Sequence, residues 1–110
     1  MGMNVFEIIF HPDAENEIYE LESSMQGKVF VALDKLEARG NQLRAPHTET
    51  IRDGLFELRA GKKDITRTFF AFAKGKKIYI LRTFIKKTRK TPESEITLAF
   101  KRLEELLNDE

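Results

Sequence analysis

The chain contains no cysteine, so disulfides, thiolate metal sites and cysteine nucleophiles are all excluded. Only two histidines occur, His11 and His47, and neither sits in an HExxH pattern or beside clustered acids. EF-hand, Walker A and GxGxxG patterns are also missing, and Gly75-Lys76 reads as part of a turn. Ser23, Ser24 and Ser94 have no histidine placed to suggest a catalytic triad. A protein with no cofactor and no metal site is therefore expected. No apolar run approaches the roughly 18–20 residues needed to span a bilayer, and no basic stretch leads into an apolar one at the N-terminus. The expectation is a cytoplasmic protein without a membrane partner.

What is present is a chain sized for one domain, residues 1–110. A domain this small buries roughly 60–65% of its unfolded surface, and nine phenylalanines help to supply the core. The net charge of +1 conceals a strong pattern. Residues 1–50 carry four basic and nine acidic side chains, and residues 93–110 carry two and six. Between them, residues 51–92 hold thirteen Lys and Arg against Asp53, Glu57 and Asp64, a net of +10. Such a block, with arginines inside apparent strands, is the footprint of a polyanion-binding surface.

The residue pattern predicts the order β-α-α-β-β-β-α, an α+β domain with helices packed on a mostly antiparallel sheet. Asn4–Phe10 is β-branched and aromatic and reads as a first strand. Pro12 and Asp13 then open a helix, with Asp13 expected to cap it; His11, at the junction, is expected to be structural. Ala14, Ile18, Leu21 and Met25 make one helical stripe, Gly27 interrupts, and Val29, Ala32, Leu33 and Leu36 make a second. Residues 41–53 read as a loop carrying a solvated His47. Strands follow at Leu55–Arg59, Asp64–Ala73 and Ile78–Lys87, the last in an interior position, with short turns that impose antiparallel pairing. Thr91-Pro92-Glu93 predicts an N-cap, N1 proline and first-turn acid, and the last helix carries Ile96, Ala99, Phe100, Leu103 and Leu107 on one side.

With other chemistries excluded, cations on strands remain. Arg59 and Arg67 are expected to face the same way across a tight turn, and Arg82 is expected to align with Ile80 and Phe84. Lys86, Lys87, Arg89 and Lys90 then close the sheet before the last helix. Phe69 is a candidate base-stacking ring, and Glu57 is the one carboxylate in the strand face. This set suits cleavage of RNA by its own 2′-OH, which is already held near the phosphorus. Arginine's forked donors match the nonbridging phosphate oxygens, and a lysine crowded by like charges can exchange protons.

Three segments carry a family resemblance: Asp53-Gly54-Leu55-Phe56-Glu57-Leu58-Arg59, Ile65-Thr66-Arg67-Thr68-Phe69-Phe70, and Phe84-Ile85-Lys86-Lys87-Thr88-Arg89-Lys90-Thr91-Pro92. In this order and spacing they resemble the phage Gp49-like/HigB branch of the RelE/ParE toxin superfamily. The resemblance implies a toxin of a type II toxin–antitoxin pair, held in a hetero-oligomer by an antitoxin, commonly a helix-turn-helix protein. It implies a metal-independent endoribonuclease that cuts mRNA on the ribosome, with Arg67 stabilising the transition state, Arg59 near the residues that hold the substrate backbone, and Lys86, Lys87 and Lys90 in proton transfer and ribosomal RNA contact. Taken with the reading of the strands, the expected catalytic set is Arg67, Lys87, Lys90 and Glu57, and the expected RNA-binding set is Arg59, Arg82, Lys86, Arg89 and Phe69. Relatives of the RelE type end in a tail with a catalytic tyrosine, whereas residues 92–110 here contain none, leaving the general base open between lysine and Glu57. The superfamily also includes ParE proteins, which inhibit DNA gyrase without catalysis, and an inactive RNA- or ribosome-binding relative is a third reading.

Overall fold

β-Branched and aromatic residues in alternation make the strands, and the short connections between them set the order in the sheet. The computed structural model describes residues 5–62 and 65–109; Asn4 and Asp64, expected to begin two strands, lie outside them. The elements are β1 (Glu7–Phe10), α1 (Pro12–Tyr19), α2 (Ser23–Arg39), a 3-10 turn (Gly40–Gln42), β2 (Thr48–Arg52), β3 (Leu55–Ala60), β4 (Thr66–Ala73), β5 (Lys77–Ile85) and α3 (Glu93–Asn108). In the sheet, ordered β1-β5-β4-β3-β2, only β1 and β5 run parallel. The domain is α+β, as expected, with β5 interior. Strand β2 is an addition, because Thr48–Arg52 falls in the stretch read as a loop. Its own residues are half exposed at the sheet edge, so they lack the apolar content that marks an interior strand.

The two faces of the sheet carry separate cores. On one, Ala14 and Ile18 of α1 and Val29, Leu33 and Leu36 of α2 pack on Leu58, Phe70, Ile78 and Ile80. On the other, Ile96 and Ala99 of α3 pack on Leu55, Phe69, Ala71, Tyr79 and Leu81. Each large apolar side chain buried this way stabilises the fold by about 1.5–3 kcal/mol. Leu107, expected in the α3 stripe, is exposed, and Leu106 packs inward in its place.

The sequence pattern misplaces several local features. The break between the first two helices falls at residues 20–22, where the Gln26 side chain donates to the carbonyls of Tyr19 and Leu21, and Gly27 lies inside α2. Helix α1 is capped by His11, whose Nδ1 accepts from the Asp13 amide at 3.1 Å, and not by Asp13. At α3 it is Pro92 that occupies the cap position, and Glu93 begins the helix. Between β4 and β5 the register slips, with Phe69 opposite Arg82 but Phe70 opposite Ile80. This bulge at Leu81 breaks the alternation, so Ile80 faces α1 and α2 while Arg82 and Phe84 lie on the α3 side. Among the described residues, no helix is long and apolar enough to cross a membrane.

Candidate functional site

The α3 face of the sheet carries the charged cluster at the end where β3 finishes and β4 begins. The tight β3–β4 connection puts Arg59 directly opposite Arg67, and Glu57 opposite Phe69. Glu57 is 2% exposed, and its Oε2 lies 3.0 Å from Arg59 Nε and 3.3 Å from Arg67 Nε. Arg59 also binds Glu49 of β2 through Nη2, so two of its nitrogens are committed to carboxylates. Arg67, with 9% of its side chain exposed, is different: its Nε and Nη1 are buried without a hydrogen-bond partner, as is Oε1 of Glu57. Buried polar atoms left open in this way are costly, and a guanidinium fork with free donors suits a tetrahedral anion.

Burial pushes the Glu57 carboxyl above the ordinary carboxylate range, against the pull of Arg67 and Lys86. Burial likewise loosens the Arg67 proton, Glu57 tightens it, and the neighbouring Arg59 loosens it again. The sheet ladder extends past β5 through a bond from the Lys86 amide to the Ile65 carbonyl at 3.1 Å. That bond swings the following segment across the end of β4. Ile65, Arg67, Lys86, Lys87, Thr88 and Arg89 then line a cleft of about 370 Å³. Lys90 is next in line, its carbonyl accepting from the Thr88 hydroxyl at 2.7 Å.

Sequence reasoning therefore places Arg67, Lys86, Lys87 and Arg89 together correctly, with Glu57 and Arg59 behind them. Arg82 and Phe69 do not join the group. Arg82 is spent on Glu95 and Glu17, at 2.6 Å each, and pins α1 and α3 to the sheet. Phe69 is fully buried, edge-on to Phe84, and has no face to offer a base. Arg82 was misjudged because alternation was carried unbroken through the bulge at Leu81, whereas Phe69 points to the expected face and is covered there by α3 and Phe84. Glu49 was missed altogether; the Thr48-Glu49-Thr50-Ile51 alternation was the available signal.

A second cluster explains the remaining charges. Glu17 accepts from Arg102 at 2.9 Å, from Arg82 and from the Thr83 amide. Burial alone would raise its pKa, but these donors bring it below the ordinary carboxylate range. His11, whose Nδ1 is occupied by the α1 cap, reaches Glu105 of α3 through Nε2 at 2.7 Å. These contacts hold α3 in place and are remote from the cleft. Among the described residues, no group of three or more metal-ligating side chains converges.

The model of the family described as "Phage derived protein Gp49-like (DUF891)" matches residues 16–104. The chain belongs to the Gp49-like family. The match spans Glu57, Arg59 and Arg67 of this Gp49-like protein and the cleft between β4 and the Lys86–Arg89 segment, together with Glu17, Arg82 and Arg102 of the second cluster. Among solved structures, the chain is similar to one in the RelE–RelB complex of Pyrococcus horikoshii OT3, at 19% identity and a TM-score of 0.56. That alignment covers 74% of this chain and 94% of the other, so the Gp49-like protein has a RelE-like fold. A chain of the RelBE2 toxin–antitoxin complex from Mycobacterium tuberculosis aligns at 15% identity and a TM-score of 0.49, over 77% of this chain and 95% of that one. Comparison with proteins of curated function finds no match.

Proposed function

We propose that this Gp49-like protein is the toxin of a toxin–antitoxin pair and cleaves mRNA on the ribosome without a metal. The observation that carries the reading is Arg67, which is buried beside Glu57 with Nε and Nη1 lacking a hydrogen-bond partner and which lines a cleft with Lys86, Lys87 and Arg89. Its fold likeness to a chain from a RelE–RelB complex supports the same reading. The reaction has few steps. Glu57, or a lysine of the cleft, takes the proton of the 2′-OH, whose oxygen attacks the adjacent phosphorus. Arg67 donates to the nonbridging oxygens as charge builds there. The P–O5′ bond breaks, and Lys87 or Lys90 delivers a proton to the departing oxygen. The products are a 2′,3′-cyclic phosphate and a 5′-OH end. Arg59, tied to Glu57 and Glu49, holds the carboxylate in place, while Lys86 and Arg89 hold the RNA backbone. The antitoxin neutralises the protein in a hetero-oligomer in the cytoplasm, where ribosomes are found.

The test is primer extension on a defined mRNA in a reconstituted translation reaction, with naked RNA beside it. New 3′ ends that require ribosomes and vanish in Arg67→Ala are expected. Intact mRNA from a protein that still poisons cells would reject this reading in favour of gyrase inhibition.

A further inference from the structure

Two like-charged pairs stand side by side in the sheet. Glu49 of β2 lies directly opposite Glu57 of β3, and Arg59 of β3 lies directly opposite Arg67 of β4. Each such pair is destabilising by itself, and diagonal contacts between the pairs must offset it. Those contacts run through Arg59, which is two residues from Glu57 and therefore on the same face of the strand. Its Nε donates to Oε2 of Glu57 at 3.0 Å, and its Nη2 donates to Oε1 of Glu49.

Nε and Nη2 form an edge of the guanidinium that can grasp both oxygens of a single carboxylate. Here two carboxylates divide that edge, and Oε1 of Glu57 is left buried without a hydrogen-bond partner. The contact to Glu49 adds little to the fold, because Glu49 is 56% exposed and an ion pair in water is weak. Its consequence lies at Glu57.

We propose that Glu49 is a positioning residue for RNA cleavage: it holds one arm of the Arg59 fork and so keeps Oε1 of Glu57 open for the proton of the 2′-OH. The inference rests on the reading of Glu57 as the base. Without Glu49, the edge of Arg59 closes on both oxygens of Glu57, and a carboxylate clamped that way is a weaker base. The other cations facing Glu57 are Arg67 of β4 and Lys86 beyond β5. On the β2 side the remaining titratable residue is His47, whose carbonyl accepts from the Arg59 amide at 2.9 Å. Helix α3, packed over the same face, commits Glu93 to Arg52 and Glu95 to Arg82. Among the described residues, Glu49 is the acid that shares Arg59 with Glu57.

The test is single-turnover cleavage on mRNA-programmed ribosomes as a function of pH. Wild type is compared with Glu49→Ala, Arg59→Ala, the double variant and Glu57→Gln, and Arg59→Gln replaces the alanine variant if that one fails to fold. Carboxyl NMR of Glu57 in the free protein follows the same titration without relying on activity. Glu49→Ala should move the cleavage limb and the carboxyl titration down by about 1 pH unit. It should also slow the plateau about 3–10-fold, as a weaker base does. In the Arg59→Ala background the same substitution should move neither, because the arm it releases is gone. An unmoved limb in Glu49→Ala, with Glu57→Gln flattening it, would overturn the positioning role and leave Glu57 as the base. An equal shift in the Arg59→Ala background would also overturn it, since Glu49 would then act through its charge alone. A limb that persists in Glu57→Gln would reject the base and the inference together.

Discussion

Glu57 and Arg67 lie on adjacent strands with Oε2 and Nε 3.3 Å apart, yet neither group is satisfied by the other: Oε1 of the acid and Nε and Nη1 of the arginine keep no hydrogen bond. Two buried, opposite charges are held close with three of their polar atoms unpartnered. In the proposed mechanism one takes a proton and the other donates to a phosphate.

Arg67→Ala should lower ribosome-dependent cleavage by about 10²–10³-fold, the effect of removing one preorganised charge donor. Arg67→Lys should restore little, because a point charge cannot reproduce the forked contact. Single-turnover cleavage with each variant checks this, with thermal melting alongside, since the alanine variant also leaves Glu57 buried without that cation.

With Glu57 as the proposed base, its titration sets the pH dependence of cleavage. Its raised pKa means that the folded protein holds this proton more tightly than the unfolded chain does. Stability from this group is greatest below the ordinary carboxylate range and falls as pH rises through the raised value. Ionisation for base catalysis runs the other way, so cleavage should climb with pH along a limb lying above the ordinary carboxylate range. Glu57→Gln should flatten that limb and slow cleavage about 10²–10⁴-fold. A limb that persists in the variant would assign the base to another group.

Glu17→Gln should destabilise without touching the chemistry. Glu17 is partly buried between Arg82 and Arg102, and losing its charge leaves Arg82 to Glu95 and Arg102 to the Leu81 carbonyl, at a cost of about 1.5–3 kcal/mol at pH 7. Here the folded pKa is depressed, so the contribution is full above the ordinary carboxylate range and fades as pH falls through the lowered value. Urea unfolding of wild type and variant should give curves that converge in acid.

Gly40→Ala should also cost stability, by about 1–3 kcal/mol. Gly40 ends α2 at φ +54°, and an added Cβ would fall 2.0 Å from the Phe6 ring. Thermal unfolding reads the loss, and Gly54→Ala, at positive φ but with open space around it, separates the backbone strain from the collision.

The elements with strong local signals were legible in the residues. Helix α3, with its apolar stripe and first-turn acid, and strands β3 to β5, with short turns between them, stand where periodicity puts them, to within a few residues. So did the grouping of Arg67 with Lys86, Lys87 and Arg89, because a tight hairpin and a run of consecutive cations leave little freedom. Strand β2 left only the short Thr48–Ile51 alternation as a signal, since an edge strand needs a neighbour's ladder more than an apolar sequence. Arg82 was misassigned because the bulged residue Leu81 inverts the side chains after it, and Phe69 because a helix distant in sequence, α3, packs over its face.

The sequence alone determined which side chains are on hand: no thiol, no metal motif, a concentrated cationic block and the strands that carry it, since composition and short-range spacing are properties of the chain itself. Which of those cations stay free was decided only by the tertiary structure. Arg82 and Arg67 are both strand arginines, and the fold brings Glu17 and Glu95 to one and leaves the other with open donors beside Glu57. Partners so distant in sequence are chosen by packing, which no local pattern encodes.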